Sequence, residues 1–346
     1  MTKVKKEHYV PQCYLKNFSK DRKKLFYYNK QVKNDYHYVN IADAAEERYF
    51  YDLDISNNYQ ELSAEDKEKI DKEFIEEYGK HIPEMDKDII DDCEQFLERF
   101  FSKEVEDDLA QYLDKIKYNT YGFNKWVANN CYFISEEDKH NLTELIVYQF
   151  IRTPYYRYFI NQSHVNVNKK VIPVVASLYG IDITEDDVND TFNDEQAKLR
   201  HILSLSSDNA MKEYAPILFF HKWVLIENMT SIAFVTSDNP ISLYPTKKPP
   251  FPWMGTGLSS PGMVILYPIS DKLMIAIIED SVSTIGDRKI VQIYDAEKIL
   301  LFNSIVISNA TKYIYCIDEK TVELVDRICD RNPKLRKSNE NCIECS

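Results

Sequence analysis

The chain has 346 residues, 44% of them hydrophobic, with 25 Tyr and 17 Phe, and a formal net charge of −13 from 56 acidic and 43 basic side chains. That length and apolar content exclude a disordered chain and allow one large domain or two ordinary ones. The acidic balance, uninterrupted by a long Lys/Arg block, leaves no broad basic footprint for duplex nucleic acid, although local basic patches are compatible with it.

With only 7 Gly, none arranged as a strand–loop–helix fingerprint, Walker and Rossmann phosphate loops are missing. Seven scattered Cys, no apolar leader and no run of about 18 apolar residues point to a reducing cytoplasm and no membrane span. No His-x-x-x-His or paired Cys-x-x-Cys set occurs, and Cys342-Ile343-Glu344-Cys345 is half a zinc site, so no metal is expected and no cofactor can be named.

In chain order, His8-Tyr9-Val10-Pro11-Gln12-Cys13-Tyr14-Leu15-Lys16-Asn17-Phe18 is unusual for a terminus. Tyr9, Tyr14, Leu15 and Phe18 supply apolar surface for docking while His8 and Gln12 bring polar groups along. Leu25–Tyr28 and Tyr36–Val39 read as a small hairpin. Helical periods follow over Glu61–Tyr78, Ile89–Phe101, and the stripe Leu109, Tyr112, Leu113, Ile116. Ser135 caps a long helix burying Leu142, Leu145, Ile146 and Gln149, which Arg152-Thr153-Pro154 kinks or ends. Further helices are expected over Val171–Leu178 and, capped by Thr184, over Glu185–Leu205.

Strand-like runs follow at Trp223–Ile226, Ile232–Thr236, Met263–Tyr267 and Leu273–Ile278, with a Pro-rich loop over Pro245–Pro261 and a helix after Asp295. Helices followed by strands make an α+β fold: a short N-terminal hairpin, a mostly helical first two-thirds, and an antiparallel sheet in the C-terminal third. A single domain is expected over 1–330, with 60–210 helical and a sheet part over 215–316 packed with residues 8–50. Residues 331–346 are expected to form a flexible tail.

Three segments combine polar groups with apolar surroundings: the opening one, Tyr148-Gln149-Phe150-Ile151-Arg152-Thr153-Pro154, and Thr236-Ser237-Asp238-Asn239-Pro240. Their order resembles the microbial family called domain of unknown function 4238, with its His-Tyr-Val-Pro-Gln-x-Tyr-Leu opening, Gln-x-x-Arg-Thr-Pro helix and Ser-Asp-Asn-Pro turn. The likeness spans about residues 8 to 316, taking in Tyr49-Phe50-Tyr51, Pro268-Ile269-Ser270 and Asn303 to Tyr315. Cys13 departs from it, standing where an aromatic or Arg is more usual. The resemblance implies no settled activity, so function is read from the residues.

Gln149 and Arg152 share a helix face directed at the core, where a buried Arg needs a carboxylate, a carbonyl or a ligand anion. Asp238 and Asn239 sit where a strand ends, a place for functional groups and for Asx turns alike, and Asp238 is the natural carboxylate for Arg152 or His8. His8 can move a proton, bind a metal or simply hydrogen-bond. Arg157 and His164 match the Arg-x(4–6)-His spacing of helical ribonucleases, but about 0.6 such matches arise by chance in such a chain.

Two functions remain open. One is a hydrolase on a phosphate-containing substrate, a nuclease-like effector in microbial defence, with His8, Arg152 and Asp238 catalytic and Gln12, Tyr14, Gln149 and Asn239 binding substrate, its partner being nucleic acid or a nucleotide. The other is a noncatalytic ligand- or protein-binding module in which the same residues form a structural polar network. Residue types tip the balance slightly to the enzyme; oligomeric state is not legible.

Overall fold

The computed structural model describes residues 6–51, 72, 96–121, 132–182, 194–206, 208–248 and 257–337. The expected helix over Glu61–Tyr78, apart from Lys72, the start of that over Ile89–Phe101 and the Thr184 cap lie outside the described residues. An α+β architecture is observed.

At the N-terminus β1 (Lys6–His8) leads into the one-turn α1 (Gln12–Leu15) and a 3-10 turn, followed by β2 (Lys24–Asn29), β3 (Tyr36–Asn40) and β4 (Glu46–Arg48). The helical layer holds α2 (Phe96–Phe100), which runs through a π stretch over Phe101–Val105 into α3 (Glu106–Tyr121), then α4 (Glu136–Ile151), α5 (Pro154–Leu178), α6 (Asp194–Ser206) and α7 (Asp208–Phe220).

Local chemistry sets the helix ends. Ser135 accepts the Asp138 amide at the start of α4. Thr153 caps α5 by accepting the Tyr156 amide, with Pro154 in the first turn where its missing N–H costs nothing. The segment Val171–Leu178 is the end of α5 rather than a helix of its own, because the helix continues through Pro173.

Five described strands form one sheet in the order β10 (Lys289–Ile293), β5 (Lys222–Asn228), β9 (Leu273–Ile278), β8 (Met263–Pro268), β7 (Ser242–Pro245). It is antiparallel except that β10 pairs parallel to β5, a departure from the all-antiparallel sheet expected. Both faces are covered: Trp223, Leu225, Ile265, Ile275 and Ile277 face the helical layer, while Val224, Ile226, Leu266, Met274 and Ala276 face the other core. This double burial explains why β9 reads as one unbroken apolar run.

On the second face lie α8 (Ala296–Asn309), β11 (Tyr313–Cys316) and α9 (Glu319–Arg331). The expected hairpin, β2 with β3, joins a separate antiparallel sheet in the order β3-β2-β11-β6, where β6 is only Thr236–Ser237. The strand expected from Ile232 is thus cut short. Buried Asn303 of α8 accepts the Val235 amide and donates to the Ala233 carbonyl, at 3.2 and 2.9 Å, taking the place of a neighbouring strand.

Arg336, bonded to Asp326 and Asp330 at 2.9 and 2.7 Å, ties the first part of the expected tail onto α9. No helix among the described residues is long and apolar enough to cross a membrane.

Candidate functional site

His8 pairs with Glu46 in the β1–β4 ladder, which holds its ring beneath the chain that follows β3. Its Nδ1 donates to the Ala44 carbonyl at 3.2 Å, leaving Nε2 to accept from the Gln12 side-chain amide at 3.0 Å. Burial pushes His8 below the usual histidine range, partly offset by the charge of Glu106, so a neutral imidazole is favoured. The next amide, Tyr9, donates to the carbonyl of Ala45, a residue held at φ 52°. That left-handed backbone is uncommon outside glycine and marks a constrained corner.

Arg152 closes α4 and is 0% exposed. Its guanidinium donates to the His8 carbonyl, to one Glu106 oxygen through both terminal nitrogens at 3.2 Å each, and from Nε to the Tyr51 hydroxyl at 3.3 Å. The Phe101 ring covers it at 4.3 Å. Burial opposes the charge, but Tyr51 and Glu106 more than offset that and the pKa is raised, so the group stays cationic. Gln149 donates to the Tyr9 carbonyl at 3.4 Å while its buried Oε1 has no hydrogen-bond partner. Tyr14 stacks on Tyr267 and its hydroxyl meets Thr236 Oγ1 and the Pro268 carbonyl, each at 2.6 Å, tying α1 to β6 and β8.

Asp238 has a different set of partners. Its carboxylate accepts the amides of Thr311, Lys312 and Tyr313 at 2.8, 2.6 and 2.8 Å, gripping the turn from α8 into β11. Burial pushes this carboxyl up, while the three amides and the buried Lys30 pull it down. Lys30 in turn donates to the carbonyls of Ile307 and Ala310, so a buried carboxylate and a buried ammonium hold the two sides of that turn. Asn239 donates to the Asn309 carbonyl at 3.0 Å, and its Oδ1 is buried without a hydrogen-bond partner.

Of the three expected catalytic residues only His8 and Arg152 meet, and they do so through the His8 backbone. Arg152 touches the carbonyl of His8, not its ring, and Asp238 bonds neither of them. Arg152 finds its carboxylate in Glu106, which corrects the expected Arg152–Asp238 and His8–Asp238 pairing. Glu106 heads α3 among other acids, where it reads as a first-turn residue favoured by the helix dipole, so only the fold reveals its role. His201 was also missed: fully buried, it accepts from Arg157 Nε at 3.1 Å and donates to the Ile151 carbonyl at 2.6 Å. Arg157 thus turns to His201 and Phe50, while His164 bonds Asn168.

A basic groove opens beside α1, with a volume of about 420 Å³. Lys16, Arg22, Lys117 and Lys272 line it against one carboxylate, Asp271. Lys117 bonds Asn17 at 2.7 Å and Asp114 at 2.5 Å, and Lys272 bonds the Thr230 carbonyl at 2.6 Å. The side chains of Lys16 and Arg22 make no hydrogen bond or ion pair among the described residues. Arg22 sits at φ 59° in a turn stiffened by Asp21, which accepts the Lys23 and Lys24 amides at 2.8 Å each. Those amides, Lys24 first, hold the Asp21 carboxyl down at about 2. Among the described residues no group of three or more His, Cys, Asp or Glu is placed to hold a metal ion.

Fold and motifs together define an α+β protein with three segments that bury polar groups. The family described as Protein of unknown function (DUF4238) matches residues 6–320, a span holding all three segments, and the chain belongs to that family. No curated protein and no solved structure matches it.

Proposed function

We propose that the chain is a noncatalytic binding module, in which the three motif segments form an internal lock and a nucleotide or other small phosphate ester is held in the groove beside α1. One observation carries this reading. The polar groups of Arg152 and Asp238 are directed inward onto the chain's own backbone and Glu106, whereas Lys16 and Arg22 face the groove without partners. Unpaired cations in a concave site attract phosphate oxygens.

The rival reading is a hydrolase on a phosphate-containing substrate, a nuclease in microbial defence, with His8 moving a proton, Arg152 holding a phosphoryl oxygen and Asp238 orienting the base. It requires those side chains to turn outward, leaving the Ala44 carbonyl, Glu106 and the amides of residues 311–313 unpaired in the interior, at about 1–3 kcal/mol for each buried group. The free thiols of Cys13, Cys316 and Cys329 support a cytoplasmic setting.

The test is isothermal titration with adenosine triphosphate and inorganic pyrophosphate at low and high salt, on the wild type and on Lys16→Glu combined with Arg22→Glu. Both ligands should bind more weakly as salt rises, and the double variant should lose about tenfold in affinity with an unchanged melting temperature. RNA and DNA should stay intact with and without a divalent cation. Absence of binding, or equal binding by the double variant, overturns the groove. Cleavage that disappears in a folded His8→Ala variant overturns the noncatalytic reading.

A further inference from the structure

A second cavity, of about 150 Å³, lies where the end of α4, the start of α5, α7 and β7 meet. Its walls are aromatic: Phe150, Tyr155, Phe159 and Tyr214 line it, closed by Leu258. Phe150 and Tyr214 meet edge to face, with centroids 5.8 Å apart and planes at 84°, while Tyr155 and Phe159 are stacked at 6.4 Å and 25°. The break at Arg152-Thr153-Pro154 creates this geometry. It separates Phe150 on α4 from Tyr155 on α5, so one aromatic pair joins α4 to α7 and the other lies on α5.

Glu213, exposed on α7, is the charged group lining the cavity among the described residues, and it makes no hydrogen bond or ion pair there. Among the described residues no Lys or Arg lines the walls. Aromatic faces present negative potential to a cation, and a carboxylate beside them adds to it. A space of this size takes a group about as large as benzene.

We propose that this cavity binds a small organic cation, its methylated ammonium head surrounded by Phe150, Tyr155, Phe159 and Tyr214 and its charge facing Glu213. The site is distinct from the phosphate groove and shares no lining residue with it. An anion is disfavoured here by the same carboxylate and ring faces. A neutral apolar ligand would fill the space but leave the Glu213 charge without a counterpart.

The experiment compares tetramethylammonium and choline with 3,3-dimethylbutan-1-ol, the uncharged isostere of choline, by ligand-observed NMR titration of the full chain. The two cations should bind, and the neutral isostere should bind about tenfold more weakly, the size of a desolvated cation–π contribution. Glu213→Gln, at an exposed position, should weaken cation binding severalfold without changing the melting temperature. Tyr155→Leu with Phe159→Leu, which keeps the walls apolar, should abolish the preference for charge. Equal affinity for choline and its isostere overturns the proposal in favour of a plain apolar cavity. Absence of cation binding, or binding unaffected by either variant, overturns it outright.

Discussion

Replacing Asp238 by Asn tests the lock at its most committed residue. The carboxylate accepts three amides, two on Oδ2 and one on Oδ1. An amide side chain has one acceptor oxygen, so its best placement keeps the Lys312 and Tyr313 bonds and sets its own NH2 against the Thr311 amide. That leaves buried donors unpaired, at about 1–3 kcal/mol each. The two surviving bonds lose their charge assistance, which halves them, and Lys30 loses its buried counter-charge. Easier burial of a neutral side chain offsets part of this, and a net loss of about 3 kcal/mol remains.

Urea unfolding followed by tryptophan fluorescence reads the loss, since Trp223 is fully buried. Hydrogen exchange at the amides of residues 311–313 should accelerate, and Lys30→Met should show a non-additive cycle with Asp238→Asn. A variant less than about 1 kcal/mol destabilised, with normal protection at those amides, would refute the structural argument, and loss of a hydrolytic activity in that stable variant would point to catalysis instead.

Glu106→Ala should cost about 3 kcal/mol, because it strands the buried Arg152 guanidinium; a change confined to a few tenths would show that Arg152 is held by the His8 carbonyl and Tyr51 alone. Acid should weaken the fold through His201, whose pKa is pushed down to about 3, first by burial and then by the Arg157 charge. Its unfolded value is about 6.5, so its contribution is fully present above that pH and is lost toward pH 3 at about 1.4 kcal/mol per unit. His8 acts in the same direction, its folded value being lowered too. His201→Gln preserves one acceptor and one donor and should flatten the slope of stability against pH; an unchanged slope would remove His201 from the account.

Much of the fold was legible because its signals are local. Ser135 and Asp295 cap helices through amides two or three residues on, and Thr153-Pro154 ends one helix and starts the next. The doubly covered part of the sheet shows itself as apolar runs, since β5, β8 and β9 are buried on both faces. The cap and apolar spacing of α9, with Asp318 accepting the Thr321 amide and Val322, Val325 and Cys329 buried, were equally present in the sequence but went unread. In the three motif segments His8, Gln149, Arg152, Thr153, Ser237, Asp238 and Asn239 are buried.

Their partners were not legible, for a physical reason. Which carboxylate meets Arg152 depends on where α3 ends up against α4, since Glu106 lies 46 residues away in sequence and looks locally like any acid at a helix start. Asp238 and the amides it grips lie more than 70 residues apart. The strand expected at Ile232 failed because the Asn303 side chain, from another element, took over its backbone bonds. The groove likewise gathers its cations from three separate segments, Lys16 with Arg22, Lys117 and Lys272. By itself the chain therefore determined its elements and which residues to bury, since capping, helical period and apolar runs act over a few residues. Only tertiary structure decided which polar groups meet and which cations stay unpaired, because those choices are settled by long-range packing that no local pattern encodes.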